Sequence, residues 1–361
     1  VSEPIPDFVP DHGVVVHGLP RPTTAAELAR LYADEVHPEI ERVWTPATGG
    51  PVPPWEVPLV VDAVARRVRA EESSRLFQSL VLGLAIWLFA VRGAPEESRA
   101  LGWLVLVLFV AIPAAVSAWR AMRARAAARA RLRDARPSLR LAWLVSRRRP
   151  VTTWLLLASL VALFLLDRDA ERAVGAAGLV HDRVREEPWR LLTVGFVHAH
   201  ALHLAVNGLA LLVLGRLVES LASRAHLLVV FLVSVVAGSL ASAWLTRGNS
   251  LGASGGIVGL LGFLTVLAFR HRPRLPGSLW RSLVLNVGLM AALGFVLRRY
   301  VDNAAHAGGL VAGALLALPL GARAPALPVP ARAPLRAASL LAAGLLVAAA
   351  AFAAHRLLAA R

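Results

Sequence analysis

The sequence predicts an all-α, polytopic membrane protein, and three observations carry that prediction. The first is composition. Of 361 residues, 57% are hydrophobic and 17% charged, with a mean hydropathy of +0.60. A soluble domain sits nearer about 45–50% apolar and about 25% charged. One core of this size cannot hide such a surplus, so lipid must solvate much of the chain. The second is length of run. A spanning helix needs roughly 20 apolar residues, and nine segments approach that: 76–92, 100–119, 150–167, 200–217, 226–246, 251–269, 280–297, 301–321 and 336–354. The third is where the charge falls. The net charge is +16, and every basic residue is an arginine placed between the apolar runs. Together these exclude a soluble enzyme, a disordered chain and a fibrous repeat. With no cysteine, disulfides, thiolate metal sites and a cysteine nucleophile are excluded too.

Taken in order, residues 1–75 read as a polar, proline-broken cytoplasmic region, either a small domain or partly disordered. Ala25 to Val36 suits one short helix, and Trp44 and Trp55 suit anchors of a small fold or of the membrane surface. No apolar stretch in this region has the length of a secretory signal core. Arg66, Arg67, Arg69 and Arg75 precede the first run, and 120–149 holds eleven arginines against the single acid Asp134. Arg270, Arg272 and Arg274 follow the sixth run, and Arg323, Arg332 and Arg336 follow the eighth. Placing these four loops in the cytoplasm agrees with alternating passage through the bilayer. The amino terminus is then inside and the carboxyl terminus outside, with Arg298 and Arg299 a mild exception. The basic excess does not form one continuous face and has no aromatic interleaving, so anionic lipid is the expected partner and nucleic acid is not.

Polar side chains within spans are costly and by default functional. Here they are few. The fourth run opens with His198, His200, His203 and Asn207, the sixth with Gly252-Ala253-Ser254-Gly255-Gly256, and the eighth with Asp302, Asn303 and His306. All three runs cross from outside to inside in the predicted topology. His203, Asn207, Ser254 and His306 therefore share one depth, within about two turns of the outer surface. Gly255 and Gly259 make one GxxxG and Gly309 and Gly313 another, a spacing that lets helix backbones approach closely in lipid. Close approach would bring the Ser254 hydroxyl to the His306 imidazole.

A serine and a histidine in contact are a nucleophile and its general base. The neutral imidazole takes the hydroxyl proton during attack on a carbonyl and returns it to the leaving amine. Donors for the oxyanion are available from Asn207, His203 and the Ser254 amide, with His203 and Asn207 on one face at i, i+4. Asp302, four residues before His306, could touch the imidazole but reads rather as a solvated loop residue. His198, His200 and His203 have a spacing that could suit zinc, but no H-E-x-x-H accompanies them, so neither metal nor cofactor is expected. His198 is expected to support the preceding loop through a hydrogen bond. Asn286 in the seventh run could line a substrate entry but more ordinarily suits a helix–helix hydrogen bond, and Trp189 suits an interfacial anchor.

These residues resemble the rhomboid intramembrane serine proteases. The resemblance rests on Glu187-Pro-Trp-Arg-Leu-Leu-Thr193, on Phe196-Val-His198 with His203 and Asn207, on Gly252-Ala-Ser254-Gly255 continuing to Gly259 and Gly262, and on Ala305-His306-Ala-Gly-Gly309 with Gly313. It covers about 150–321 and implies a six-helix core, with two extra helices before it and one after. It implies a Ser254–His306 dyad without a third acid, an oxyanion and substrate-binding set of His203, Asn207 and Gly252, and structural support from His198, Trp189, Arg190, Gly255, Gly259, Gly309 and Gly313. It makes 168–197 a partly embedded structural loop and Arg298 to Asp302 part of a cap. Val258 stands where the family often has an aromatic that packs on the histidine.

The expected organisation is therefore a cytoplasmic region at 1–75, two extra spans with an arginine-rich linker at 76–149, a catalytic core at 150–321 and a linker with a last span at 322–361. The expected function is an intramembrane serine endopeptidase that cuts single-spanning membrane proteins near the outer end of their helix. The setting would be a bacterial plasma membrane, with transmembrane substrates and the bilayer as partners. A non-catalytic relative that binds membrane helices for quality control is the rival reading. A transporter is disfavoured, because the polar cluster lies off the midplane and no repeated halves are seen.

Overall fold

The computed structural model describes residues 12–87 except 17, 35, 36 and 38, together with 92, 103, 106–298, 301–321 and 327–360. Its contacts divide the chain into two compact units, Val1–Leu139 and Arg140–Arg361.

The first unit holds a feature the apolar pattern does not announce. Strands β1 (His12–Val16), β2 (Leu19–Thr23) and β3 (Ile40–Trp44) form an antiparallel sheet in the order β2-β1-β3. Helix α1 (Ala25–Asp34) is the short helix expected from Ala25 onward. It starts on a capping box: the Thr24 amide donates to Glu27, and the Glu27 amide donates to the Thr24 hydroxyl. These bonds, the Thr24 amide's first, hold the Glu27 carboxyl below its ordinary pKa. Val57 and, from helix α2 (Pro58–Ile86), Val60, Val61, Val64 and Val68 join Val14, Leu28, Tyr32 and Val43 in one core. Helix α3 (Ile112–Met122) follows a wide-turned stretch, Val107–Ala111, and α4 (Ala124–Arg147) adds Ala124, Ala128 and Leu132 to the same core. Arg131 of α4 pairs with Glu71 of α2 at 2.8 Å. Of the expected spans 76–92 and 100–119, residues 88–91, 100–102, 104 and 105 lie outside the described residues. Helix α2 runs without a break through position 75.

The second unit is the helical bundle. It comprises α5 (Val151–Leu166), α6 (Ala170–Ala177), α7 (Arg190–Thr193), α8 (Ala201–Leu221), α9 (Arg224–Leu245), α10 (Ser254–Arg270), α11 (Gly277–Val296), α12 (Asn303–Leu320) and α13 (Ala333–Ala359). Among the described residues, α8, α9, α11, α12 and α13 are each long and apolar enough to cross a membrane, while α5 and α10 are shorter. Side-chain caps set several starts: Asp169 for α6, His200 for α8, Ser223 for α9 and Asp302 for α12. The outside of the bundle is apolar. Leu209, Leu285 and Leu340 are 66%, 60% and 76% exposed, burial that only lipid can complete. The chain is a helical, multi-pass integral membrane protein.

The bundle is built around α10, whose Ile257, Val258, Leu260, Leu261, Phe263 and Leu264 are all buried. Helices α9 and α12 flank it. The closing contacts at the far end are histidines that the sequence reading did not single out. His226 of α9 donates from Nε2 to the Leu320 carbonyl at 3.1 Å, and His271 after α10 donates to the Gly321 carbonyl at 3.1 Å. Both satisfy carbonyls that the end of α12 leaves without helical partners.

Candidate active site

Ser254 is the first residue of α10, and a helix start leaves its first amides without intrahelical partners. What precedes it is pinned. Leu179 and Ser250 exchange both backbone hydrogen bonds, and the Gly252 amide donates to the Val194 carbonyl at 3.0 Å. Gly252 has φ of +128°, and a Cβ built there would meet Cε1 and Nε2 of His203 at 2.8 and 2.9 Å. Glycine is thus required twice over, by the backbone angle and by the imidazole that lies against it.

His203 stands on the first turn of α8. Its amide donates to Nδ1 of the capping His200 at 3.1 Å, and its own carbonyl accepts from Asn207 Nδ2 at 2.9 Å. One amide hydrogen of the buried Asn207 is thereby engaged, and the second remains available. His198 is buried and packs edge-on to the His203 ring at 5.1 Å between centroids. The hydrogen bond expected of His198 to the preceding loop goes to the Phe196 backbone and is a weak one; among the described residues neither ring nitrogen has a well-aligned partner. Ring packing adds to its support for the site.

Helices α10 and α12 meet main chain to main chain. A Cβ on Gly309 would strike the Gly255 carbonyl, and one on Gly313 the Gly259 carbonyl. The two glycine pairs run in the same order, so the helices are parallel with a constant offset. On that register His306 is level with position 252, two residues or about 3 Å of rise from Ser254. His306 is half-buried, and its Nδ1 is buried with no hydrogen-bond partner. Among the described residues no hydrogen bond joins Ser254 to His306. A small cavity of about 10 Å³ is lined by Ser254, Gly252, Gly255, Gly256, Ser239, Ser242 and Ala305.

Asp302 is not the solvated loop residue expected from the sequence. One of its carboxylate oxygens caps α12, accepting from the Ala305 amide at 2.9 Å, and the other accepts from the Ser242 hydroxyl of α9. The His306 helix is thus fastened to α9 at its first turn, and Asp302 makes no hydrogen bond to the imidazole. Asn286, expected to bond across helices, donates instead to Ser282 of its own helix at 2.8 Å. Arg190 is fully buried and gathers the loop before α8. It donates to the carbonyls of Gly178 at 2.7 Å and Gly175 at 2.8 Å and pairs with Glu187. Trp189 packs edge-on against Phe352 of α13 at 5.0 Å, and the guanidinium groups of Arg190 and Arg356 lie 4.5 and 5.2 Å from its ring centroid. No cluster of three or more potential metal ligands occurs among the described residues.

The fold and this arrangement define a class: a polytopic helical membrane protein with a serine at the start of a short central helix and a histidine level with it on the helix packed against it. Residues 185–323 match the family model described as Rhomboid domain. It is 31% identical over 180 residues to "Rhomboid protease GluP" of Bacillus subtilis, covering 48% of this chain and 35% of that protein. It is 34% identical over 132 residues to "RHOMBOID-like protein 4" of Arabidopsis thaliana, covering 36% and 34%. It is also 30% identical over 150 residues to "Inactive rhomboid protein 2" of Homo sapiens, covering 41% and 17%. The chain thus spans about a third of the length of the first two relatives.

Proposed function

We propose that the protein is an intramembrane serine endopeptidase using Ser254 and His306. One observation carries the reading: the main-chain contact of Gly255 with Gly309 and Gly259 with Gly313, which sets the hydroxyl and the imidazole at nearly one level. His306 accepts the Ser254 proton as the oxygen attacks the scissile carbonyl, and the imidazolium then gives it to the departing amine. Water, deprotonated by the same imidazole, hydrolyses the acyl-enzyme and frees Ser254. The tetrahedral oxyanion forms at the start of α10, where unpartnered amides and the positive helix end favour negative charge. The remaining Asn207 amide hydrogen and the His203 ring complete the donor set, and Gly252 keeps that ring in place.

Depth supports the same reading. Helix α10 has 17 residues, about 26 Å, against a hydrocarbon core of about 30 Å. If its arginine end reaches one surface, Ser254 starts beneath the other. The cavity of about 10 Å³ beside Ser254 is about the size of one water, the second reactant of the hydrolysis. The substrate class is a single-spanning membrane protein whose helix unwinds near its outer end. Residues 150–321 form the catalytic core in this reading, with the amino terminus cytoplasmic and the site facing outward across a bacterial plasma membrane.

The test is fluorophosphonate labelling in membranes, paired with cleavage of a co-expressed, tagged single-span substrate. The parent is expected to label and to cleave, while Ser254→Ala and His306→Ala lose about 10³-fold or more in rate. Equal cleavage by Ser254→Ala would sink the proposal. Absent labelling with altered substrate abundance would favour the non-catalytic, helix-binding reading; the name of the human relative includes the word inactive.

A further inference from the structure

At the end of the bundle away from Ser254 lies a second cavity, of about 470 Å³. Its walls come from the joint between α4 and α5, the last turn of α8, the first residues of α9 and the segment before α13. The lining includes Arg147, Arg148, Arg149, Arg224, Glu219 and Ser223. Its volume falls within the roughly 300–1,000 Å³ of small-molecule sites. Four guanidinium groups thus face one space with one carboxylate among them.

That carboxylate is already committed. Glu219 is 2% exposed, and its Oε1 accepts from the Thr153 amide at 2.8 Å and the Thr153 hydroxyl at 2.7 Å. Its Oε2 faces Arg224 Nε at 3.5 Å. Arg148 donates to the carbonyls of Glu219 and Ala222, both at 3.3 Å, which fixes its guanidinium at the rim. The Arg149 guanidinium has neither a hydrogen bond nor an ion pair among the described residues. The site is built: the Val329 amide donates to the Leu221 carbonyl at 2.9 Å and holds the segment before α13 against the end of α8.

We propose that this cavity binds the phosphate of an anionic phospholipid headgroup. Guanidinium forks match phosphate oxygens in pairs. A basic pocket between helix ends at the arginine-rich membrane face is where such a headgroup presents itself. Helix α8, at about 30 Å long, separates the cavity from His203, so the proposal does not depend on the protease reading.

The experiment measures thermal unfolding of the full chain in phosphatidylcholine vesicles with and without phosphatidylglycerol. The parent's Tm rises by about 2–4 °C with phosphatidylglycerol. Arg149→Gln, which removes no internal bond, loses at least half of that rise, and Arg149→Gln with Arg224→Gln loses all of it. Arg272→Gln, an exposed arginine outside the cavity, retains it. An unchanged rise in Arg149→Gln and the double variant, or an equal fall in Arg272→Gln, overturns the site. Inorganic phosphate at matched ionic strength has little effect; reproducing the full rise with phosphate alone overturns the assignment to lipid.

Discussion

Gly252 shows how little freedom the site leaves a single residue. Its φ of +128° and the His203 ring against its α-carbon both forbid a side chain. Gly252→Ala should store about 1–3 kcal/mol of backbone strain and push the His203 ring aside. The expected outcome is cleavage reduced at least tenfold, mostly in kcat, with Tm lowered by a few degrees; unchanged kcat would remove His203 from the oxyanion set. Ser254, His203, Asn207 and His306 were legible in the sequence because a polar group in an apolar run stands out. Asp302 was not. A carboxylate beside a span looks solvated until the fold brings the Ser242 hydroxyl to it. His226 and His271 escaped notice for the same reason: their partners are main-chain carbonyls about 94 and 50 residues away, which no local pattern encodes.

Among the elements, α10 and α12 are the pair on which the chemistry depends. The GxxxG spacing predicted close packing, and the fold places the two motifs against each other, Gly255 to Gly309 and Gly259 to Gly313. Overfilling such a contact costs about 1–3 kcal/mol and here acts on backbone, which has no rotamer to change. Gly313→Leu should therefore lower Tm and abolish labelling of Ser254, although it lies about two turns from His306. If labelling survives, the contact does not set the dyad. The short strands were less readable. β2 carries Pro20 and Pro22, which argue against a strand, yet as an outer strand it can dispense with their missing amides.

For the whole molecule, apolar run length and arginine placement made the bundle readable. The absence of cysteine makes its orientation simple to test with single introduced thiols. Gly248 lies in open space between α9 and α10, and Arg272 lies just past the other end of α10. In intact cells a membrane-impermeant maleimide should label Gly248→Cys, and should label Arg272→Cys only after permeabilisation. The reverse pattern would turn the proposed topology over.

Two helices joined through bare peptide units behave mechanically as one body. Repacking of side chains cannot part α10 from α12 without breaking the register that levels Ser254 and His306. Compliance must come from elsewhere in the bundle. Helix α11, which buries only Leu283 and Gly294 among its described residues, is the loosest stave. Amide exchange in α11 should run ahead of that in α10 and α12, marking the flank that gives way first.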